Sequence, residues 1–167
     1  KIIPNKEGKN ITPSVVSERD GKIEVGEFAS KTWAIEPEKA AARFKRVMSD
    51  KNAKFKLNDK EFSPSELSSF VLKKLIQDTS NITGEIEEVV ITIPANFSNE
   101  AREATMEAGK LAGLDVNFII NEPTAAALYY AFAKEQELSG YYAVYDLGGG
   151  TFDISVIKVT GQDVEII

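Results

Sequence analysis

The chain has 167 residues, 43% hydrophobic and 28% charged, with no cysteine, no histidine and a formal net charge of -6. Lacking thiols and imidazoles, it excludes disulfide frameworks, thiolate metal sites, Ser-His-Asp catalysis and histidine-ligated zinc, and leaves carboxylates, lysines, hydroxyls and backbone amides as its chemistry. The acidic balance and the lack of any apolar run near the ~20 residues that span a bilayer point away from nucleic acid and membrane partners and toward a cytoplasmic setting.

Residues 1 to 28 mix apolar pairs such as Val15-Val16 with the turn residues Pro4, Asn5, Gly8, Pro13 and Asp20-Gly21, which predicts short strands and hairpins. Pro37 followed by Ala40, Ala41, Phe44, Val47 and Met48 predicts a helix from about Pro37 to Met48. Phe55-Lys56-Leu57 alternates and can pair with Glu61-Phe62 through a turn at Asn58-Asp59. Ser63-Pro64-Ser65-Glu66 is a capping box with proline at the first helical position, ahead of an apolar face of Leu67, Phe70, Val71, Leu75 and Ile76. The polar stretch from Thr79 to Glu88 reads as a soft boundary.

Val89 to Ile93, closed by Pro94, predicts a buried strand. Ser98 and Asn99 cap a helix that ends at Gly113, and Val116 to Ile120 gives the next strand. Pro123 opens a helix to about Lys134, a second polar link runs to Gly140, and strands at Tyr141 to Tyr145 and Phe152 to Val159 flank three glycines. Alternating strands and helices of this kind predict an α/β layered fold.

The segment from Asp146 to Asp153, sequence DLGGGTFD, carries the strongest chemical signal. Consecutive glycines let backbone amides approach an anion without side-chain obstruction, Thr151 can bond a phosphate oxygen, and Asp146 and Asp153 are hard oxygen donors suited to magnesium. A hairpin with a flexible turn is the plainer reading, although one or two glycines suffice for that. Glu122, between a strand and a helix, could orient a water or a hydrated metal or simply complement the helix dipole. Lys45, beside an apolar face, has the ordinary role of a solvated charge with a packed stem. Arg102 reads as a surface charge and Trp33 as a packing residue.

Taken together, Ile93-Pro94-Ala95, the Ala101-Arg102-x-Ala104-Thr105 helix, Ala112-Gly113-Leu114, the run from Ile119-Ile120-Asn121-Glu122-Pro123-Thr124 to Ala127, and the Asp146–Asp153 loop resemble the seventy-kilodalton heat-shock (DnaK-type) chaperone family. The resemblance implies an α/β actin-like, ribonuclease-H-like ATPase fold, mostly the first lobe with the opening strands of the second. It divides the chain into the end of the first-lobe core strands (1–13), an outer subdomain (14–81), first-lobe core with a crossing helix (82–137) and second-lobe strands with a phosphate loop (138–167). By matched position, Lys45, Glu122 and Thr151 are catalytic, with Lys45 placing the γ-phosphate and attacking water. Gly148, Gly149, Gly150 and Thr151 bind phosphate, Asp146 and Asp153 serve magnesium, Glu122 reaches it through water, and Pro94 and Arg102 relay nucleotide state. The implied cofactors are ATP or ADP with Mg2+, and K+ as an accessory ion. The implied partners are a peptide-binding domain, a J-domain co-chaperone, a nucleotide exchange factor and, indirectly, unfolded clients.

The chain departs from the family pattern in places. No loop of the Asp-Leu-Gly-Thr-Thr type is present, and the segment from Ser49 to Glu61 is shorter than in standard DnaK, as in a bacterial variant with a reduced outer subdomain. Asn96 and Phe118 stand where the family has an aromatic and a basic residue near the co-chaperone surface. The expectations for these 167 residues alone are weak ATP binding, because one phosphate loop of two is present, and self-association through exposed strand edges at Tyr141–Tyr145 and Phe152–Val159. An actin-like filament former and a non-catalytic folding unit are the competing readings. The run from Asn121 to Ala127 speaks against the filament former.

Overall fold

The computed structural model describes residues 2–86, 88–135, 137–148 and 151–167. The chain is mixed α/β and forms two compact units, one of residues 1–89 with 98–117 and the other of residues 90–97 with 118–167.

The first unit opens with the hairpin of β1 (Val15–Arg19) and β2 (Lys22–Val25), paired antiparallel from Val16↔Val25 to Arg19↔Lys22. Its turn residues Asp20 and Gly21 both take positive φ, 51° and 80°, the handedness that suits a two-residue hairpin. Gly26 follows at φ 90°, where a Cβ would lie 3.1 Å from Thr12 Cγ2 and 3.2 Å from Lys74 Cε, so both backbone and space call for glycine. Helix α1 (Glu27–Ile35) comes next. Sequence periodicity does not announce it, because Ala29 alone is fully buried while Phe28, Trp33 and Ile35 all keep a third or more of their surface in solvent.

The helix expected from Pro37 to Met48 does not form. Two 3-10 turns, Pro37–Lys39 and Phe44–Val47, flank a short strand, β3 (Ala40–Ala42), which pairs antiparallel with β1 from Val15↔Ala42 to Ser17↔Ala40. Three alanines favour helix locally, but pairing with a buried strand overrides that preference. Strand β1 thereby becomes the centre of a sheet ordered β2-β1-β3.

Strands β4 (Phe55–Leu57) and β5 (Lys60–Phe62) pair as the alternation predicts, with Phe55 opposite Phe62. Helix α2 (Pro64–Thr83) starts at the predicted capping box: the Glu66 N–H donates to Ser63 Oγ at 3.2 Å and the Ser63 N–H to Glu66 Oε2 at 2.7 Å. The helix persists to Thr83, so the first half of the expected boundary at Thr79–Glu88 is helical. Val16, Ala41, Phe44, Leu57, Leu67 and Val71 form the core of this unit. Leu57 and Leu67 are completely buried, each contributing roughly 1.5–3 kcal/mol. Helix α3 (Asn99–Leu111) packs on α2, its start capped by Ser98, whose Oγ accepts the Ala101 N–H at 3.3 Å. Gly113, at φ 80°, turns the chain out of it.

In the second unit β6 (Val89–Ile93) pairs with β7 (Val116–Asn121), and α4 (Glu122–Lys134) follows β7 directly. A separate antiparallel sheet runs β10-β9-β8, from β8 (Ser139–Leu147), β9 (Phe152–Thr160) and β10 (Asp163–Ile166). Strand β10 was not foreseen from the sequence, and it narrows the edge expectation: it pairs with Ile157–Thr160 of β9, whereas Phe152–Ser155 have β8 alone as a ladder partner among the described residues. The sheet alternates cleanly. Tyr142, Val144, Ile157 and Val159 face inward with Ala127 and Leu138, whereas Tyr141, Tyr145, Leu147, Phe152, Ile154 and Val156 are exposed on the other face.

Candidate functional site

The glycine-rich loop joins the two longest strands of the second unit. Strands β8 and β9 stay in register up to Leu147↔Phe152, and the turn beyond is closed by the Gly148 N–H donating to Thr151 O at 2.9 Å. Gly149 and Gly150, expected to bind phosphate, lie outside the described residues. Thr151 is half-buried beside Gly148, where a Cβ on the glycine would meet Thr151 O and Oγ1 at 3.6 Å. The hydroxyl thus stands on the side of the loop that a glycine leaves open.

Asp146 and Asp153 are direct cross-strand partners at the base of this loop. Both fall on the inward, half-buried face in the alternation that also places Val144, Ser155 and Ile157. Like charges opposite each other on a sheet repel, and among the described residues no cation pairs with either carboxylate. A hard cation resolves such a pair. Among the described residues no three ligating side chains converge on one point, so the side-chain donors at this place are the two carboxylates alone.

Glu122 is the first residue of α4 and half-buried, at the junction where β7 ends. Its neighbour Asn121 occupies the cap position with no side-chain cap bond, and Asn121 Oδ1 is buried without a hydrogen-bond partner among the described residues. An acceptor left unmatched at a strand-helix junction marks a place where a water or ligand donor would be welcome. Pro94 is buried just after β6, its carbonyl accepting the Phe97 N–H at 3.2 Å. Arg102 is half-buried in the first turn of α3, and its N–H donates to Ser98 O at 3.0 Å.

Lys45 sits in the 3-10 turn Phe44–Val47 of the first unit, half-buried, rather than on the helix the sequence predicts. Phe44 anchors that turn in the core, edge-on to Phe55 with ring centroids 6.3 Å apart. Arg43, just before it, takes the left-handed conformation at φ 60° and ψ 17° and lays its guanidinium 5.4 Å from the Trp33 ring centroid. The backbone choice costs about 1–2 kcal/mol for a residue with a Cβ, and an exposed cation–π contact returns about 0.5–1 kcal/mol. Neither Arg43 nor its pairing with Trp33 is apparent from residue types alone, since the two lie ten positions apart with a strand and a 3-10 turn between them. The predicted site residues therefore divide: Lys45 and Arg102 belong to the first unit, and Pro94, Glu122, Asp146, Thr151 and Asp153 to the second, where Asp146, Thr151 and Asp153 share one hairpin.

The chain is mixed α/β, with two facing aspartates at the base of the turn that the Gly148–Thr151 bond closes. The particular family follows from comparison with known proteins. The family model described as Hsp70 protein matches residues 1–167, and the chain belongs to that family. Among curated relatives it is similar to the proteins named Chaperone protein DnaK from Thermotoga neapolitana (47% identical over 172 residues), Thermotoga petrophila (46%) and Thermosipho melanesiensis (45%). Each match covers 100% of this chain, and the chain spans 28% of the length of each relative. Among the described residues no helix is long and apolar enough to cross a membrane.

Proposed function

We propose that these residues form part of an ATP-binding and ATP-hydrolysing domain of a DnaK-type chaperone, with an actin-like fold, in which nucleotide state is coupled to binding of unfolded protein. The observation that carries this reading is the Asp146–Asp153 hairpin: two facing carboxylates, a turn closed by the Gly148–Thr151 bond, and a hydroxyl on its open side. Family membership supports it independently. The subdomain division at 13/14, 81/82 and 137/138 belongs to the same proposal.

Phosphoryl transfer asks a protein for positioning and charge neutralisation more than for covalent chemistry. The Gly148 N–H closes the turn on Thr151 O, so Gly148 serves by leaving the loop clear of a side chain, Gly149 and Gly150 are the glycines proposed to meet a phosphate with their amides, and the Thr151 hydroxyl donates to one of its oxygens. Asp146 and Asp153 would hold magnesium, and Glu122 would act on it through a water. Bound there, the ion supplies neutralisation of phosphate charge. Lys45 contributes a cation to the γ-phosphate and orients the attacking water. Pro94 and Arg102 pass nucleotide state toward a peptide-binding domain, and a J-domain co-chaperone and an exchange factor govern the cycle in the cytoplasm. ATP and ADP are the ligands, with K+ accessory.

Calorimetric titration of the chain with Mg-ATP, beside the Asp146→Ala and Thr151→Ala variants, tests the reading. Heat of binding that falls at least severalfold in both variants supports it. Equal heats in all three proteins would place nucleotide elsewhere and overturn it.

A further inference from the structure

We propose that Trp33 acts through Arg43 as a positioning residue for Lys45, an inference that rests on reading Lys45 as the lysine that meets the γ-phosphate. Two fixed points define the geometry. Strand β3 ends at Ala42, held by its pairing with Val15, and Phe44 is pinned in the core at 3% exposure. Arg43 is the single residue between them, and its left-handed backbone makes the change of direction that sends Phe44 inward and opens the turn bearing Lys45.

That turn is a 3-10 turn of four residues. It is closed by the Arg46 N–H donating to Arg43 O at 3.1 Å and by the Met48 N–H reaching Lys45 O at 3.5 Å, the outer limit of a hydrogen bond. A left-handed position with no further task is best filled by glycine, which adopts it without penalty. Here the position carries arginine, and the arginine is placed over an indole face at 5.4 Å. Trp33 extends from α1, which packs against β3, so the ring reaches Arg43 from an element anchored to the same strand. The stack fixes the Arg43 side chain, the side chain fixes its backbone dihedrals, and those dihedrals set the direction in which Lys45 leaves the core. Because the contact is partly exposed, with Trp33 at 36%, it tightens the turn without being needed for folding of the core.

The test compares Trp33→Ala, Trp33→Phe, Arg43→Gly and Lys45→Ala by titration with Mg-ATP and Mg-ADP into the millimolar range, with hydrogen exchange at the Arg46 amide as a nucleotide-free readout. The expected result is that Trp33→Ala and Arg43→Gly reduce the preference for ATP over ADP severalfold, to the level of Lys45→Ala, and speed exchange at Arg46. Trp33→Phe, which keeps an aromatic face, retains both properties. A Trp33→Ala protein with wild-type preference, or one that loses ATP and ADP affinity equally, overturns the positioning role. If Lys45→Ala itself leaves the preference unchanged, the reading of Lys45 fails and takes the proposal with it. A folding defect in Trp33→Ala would leave Arg43→Gly and Trp33→Phe to decide between these outcomes.

Discussion

The first unit gathers apolar residues from its small strands, a 3-10 turn and α2 into one buried cluster, whereas the second covers only one face of its largest sheet. In the first, Val16, Phe44, Leu57, Leu67 and Val71 come from four elements and meet in one cluster. In the second, α4 covers the inner face of β8 and β9, while Tyr141, Tyr145, Leu147, Phe152, Ile154 and Val156 lie in solvent. Strands apolar on both faces are the pattern of a sheet that packs on two sides. The contrast shows two kinds of stability, one supplied by a closed core and one by a hairpin with nine residue pairs in register under a single helix.

The largest effect expected is in the closed core. Leu67→Ala removes a side chain with no exposure and should destabilise the first unit by about 2–5 kcal/mol in urea unfolding. The same experiment on Ile157→Val in the second unit should cost about 0.5–1.5 kcal/mol, and a transition separate from that of Leu67→Ala would sharpen the distinction between the units. Next comes the α2 cap: Ser63→Ala removes the acceptor for the Glu66 N–H and should cost about 0.5–2 kcal/mol, with Ser63→Gly costing less.

Smaller effects follow from charge and surface. Glu18 is held below the usual carboxylate range, first by the side-chain amide of Asn58, against the opposing effect of burial, and with help from the Gly21 N–H and Lys60. Its folded-state pKa is lowered, so its contribution is complete above the ordinary glutamate value of about 4.3 and disappears as pH falls through the lowered one. Asn58→Ala should therefore lower stability near neutrality, where the contribution is complete, and converge on the wild type as pH falls below that value, so that the acid limb flattens. On the exposed face of β8 and β9, Tyr145→Lys with Ile154→Lys should reduce association between copies in sedimentation velocity, and a wild-type chain that is strictly monomeric at high concentration would break the comparison that motivates it.

Much of this architecture was legible because its signals are local. The Asp20-Gly21 turn, the Phe55–Phe62 hairpin, the Ser63 capping box and the helix after Ser98 all rest on residues within a few positions of each other. The misreading at Pro37–Met48 has the opposite cause: Ala40–Ala42 is a strand only because Val15–Ser17 lies alongside it, a pairing across more than twenty positions. Helix α1 was missed since its apolar residues are mostly exposed, and β10 since four residues give little periodicity. The Asp146–Asp153 motif could be read as chemistry from composition alone, but the fact that its two carboxylates face each other across a hairpin comes from the register. The Trp33–Arg43 contact needed the fold, because nothing in either residue's neighbourhood points to the other.

The central claim is that the β8–β9 hairpin is a phosphate and magnesium site, and amide chemical shifts of the chain during titration with Mg-ATP to millimolar levels test it most directly. The account predicts that the largest shifts fall on Gly148, Thr151 and Asp153, that they shrink when magnesium is chelated, and that Asp146→Ala abolishes them. Shifts absent from this loop, or unchanged by Asp146→Ala, would contradict it.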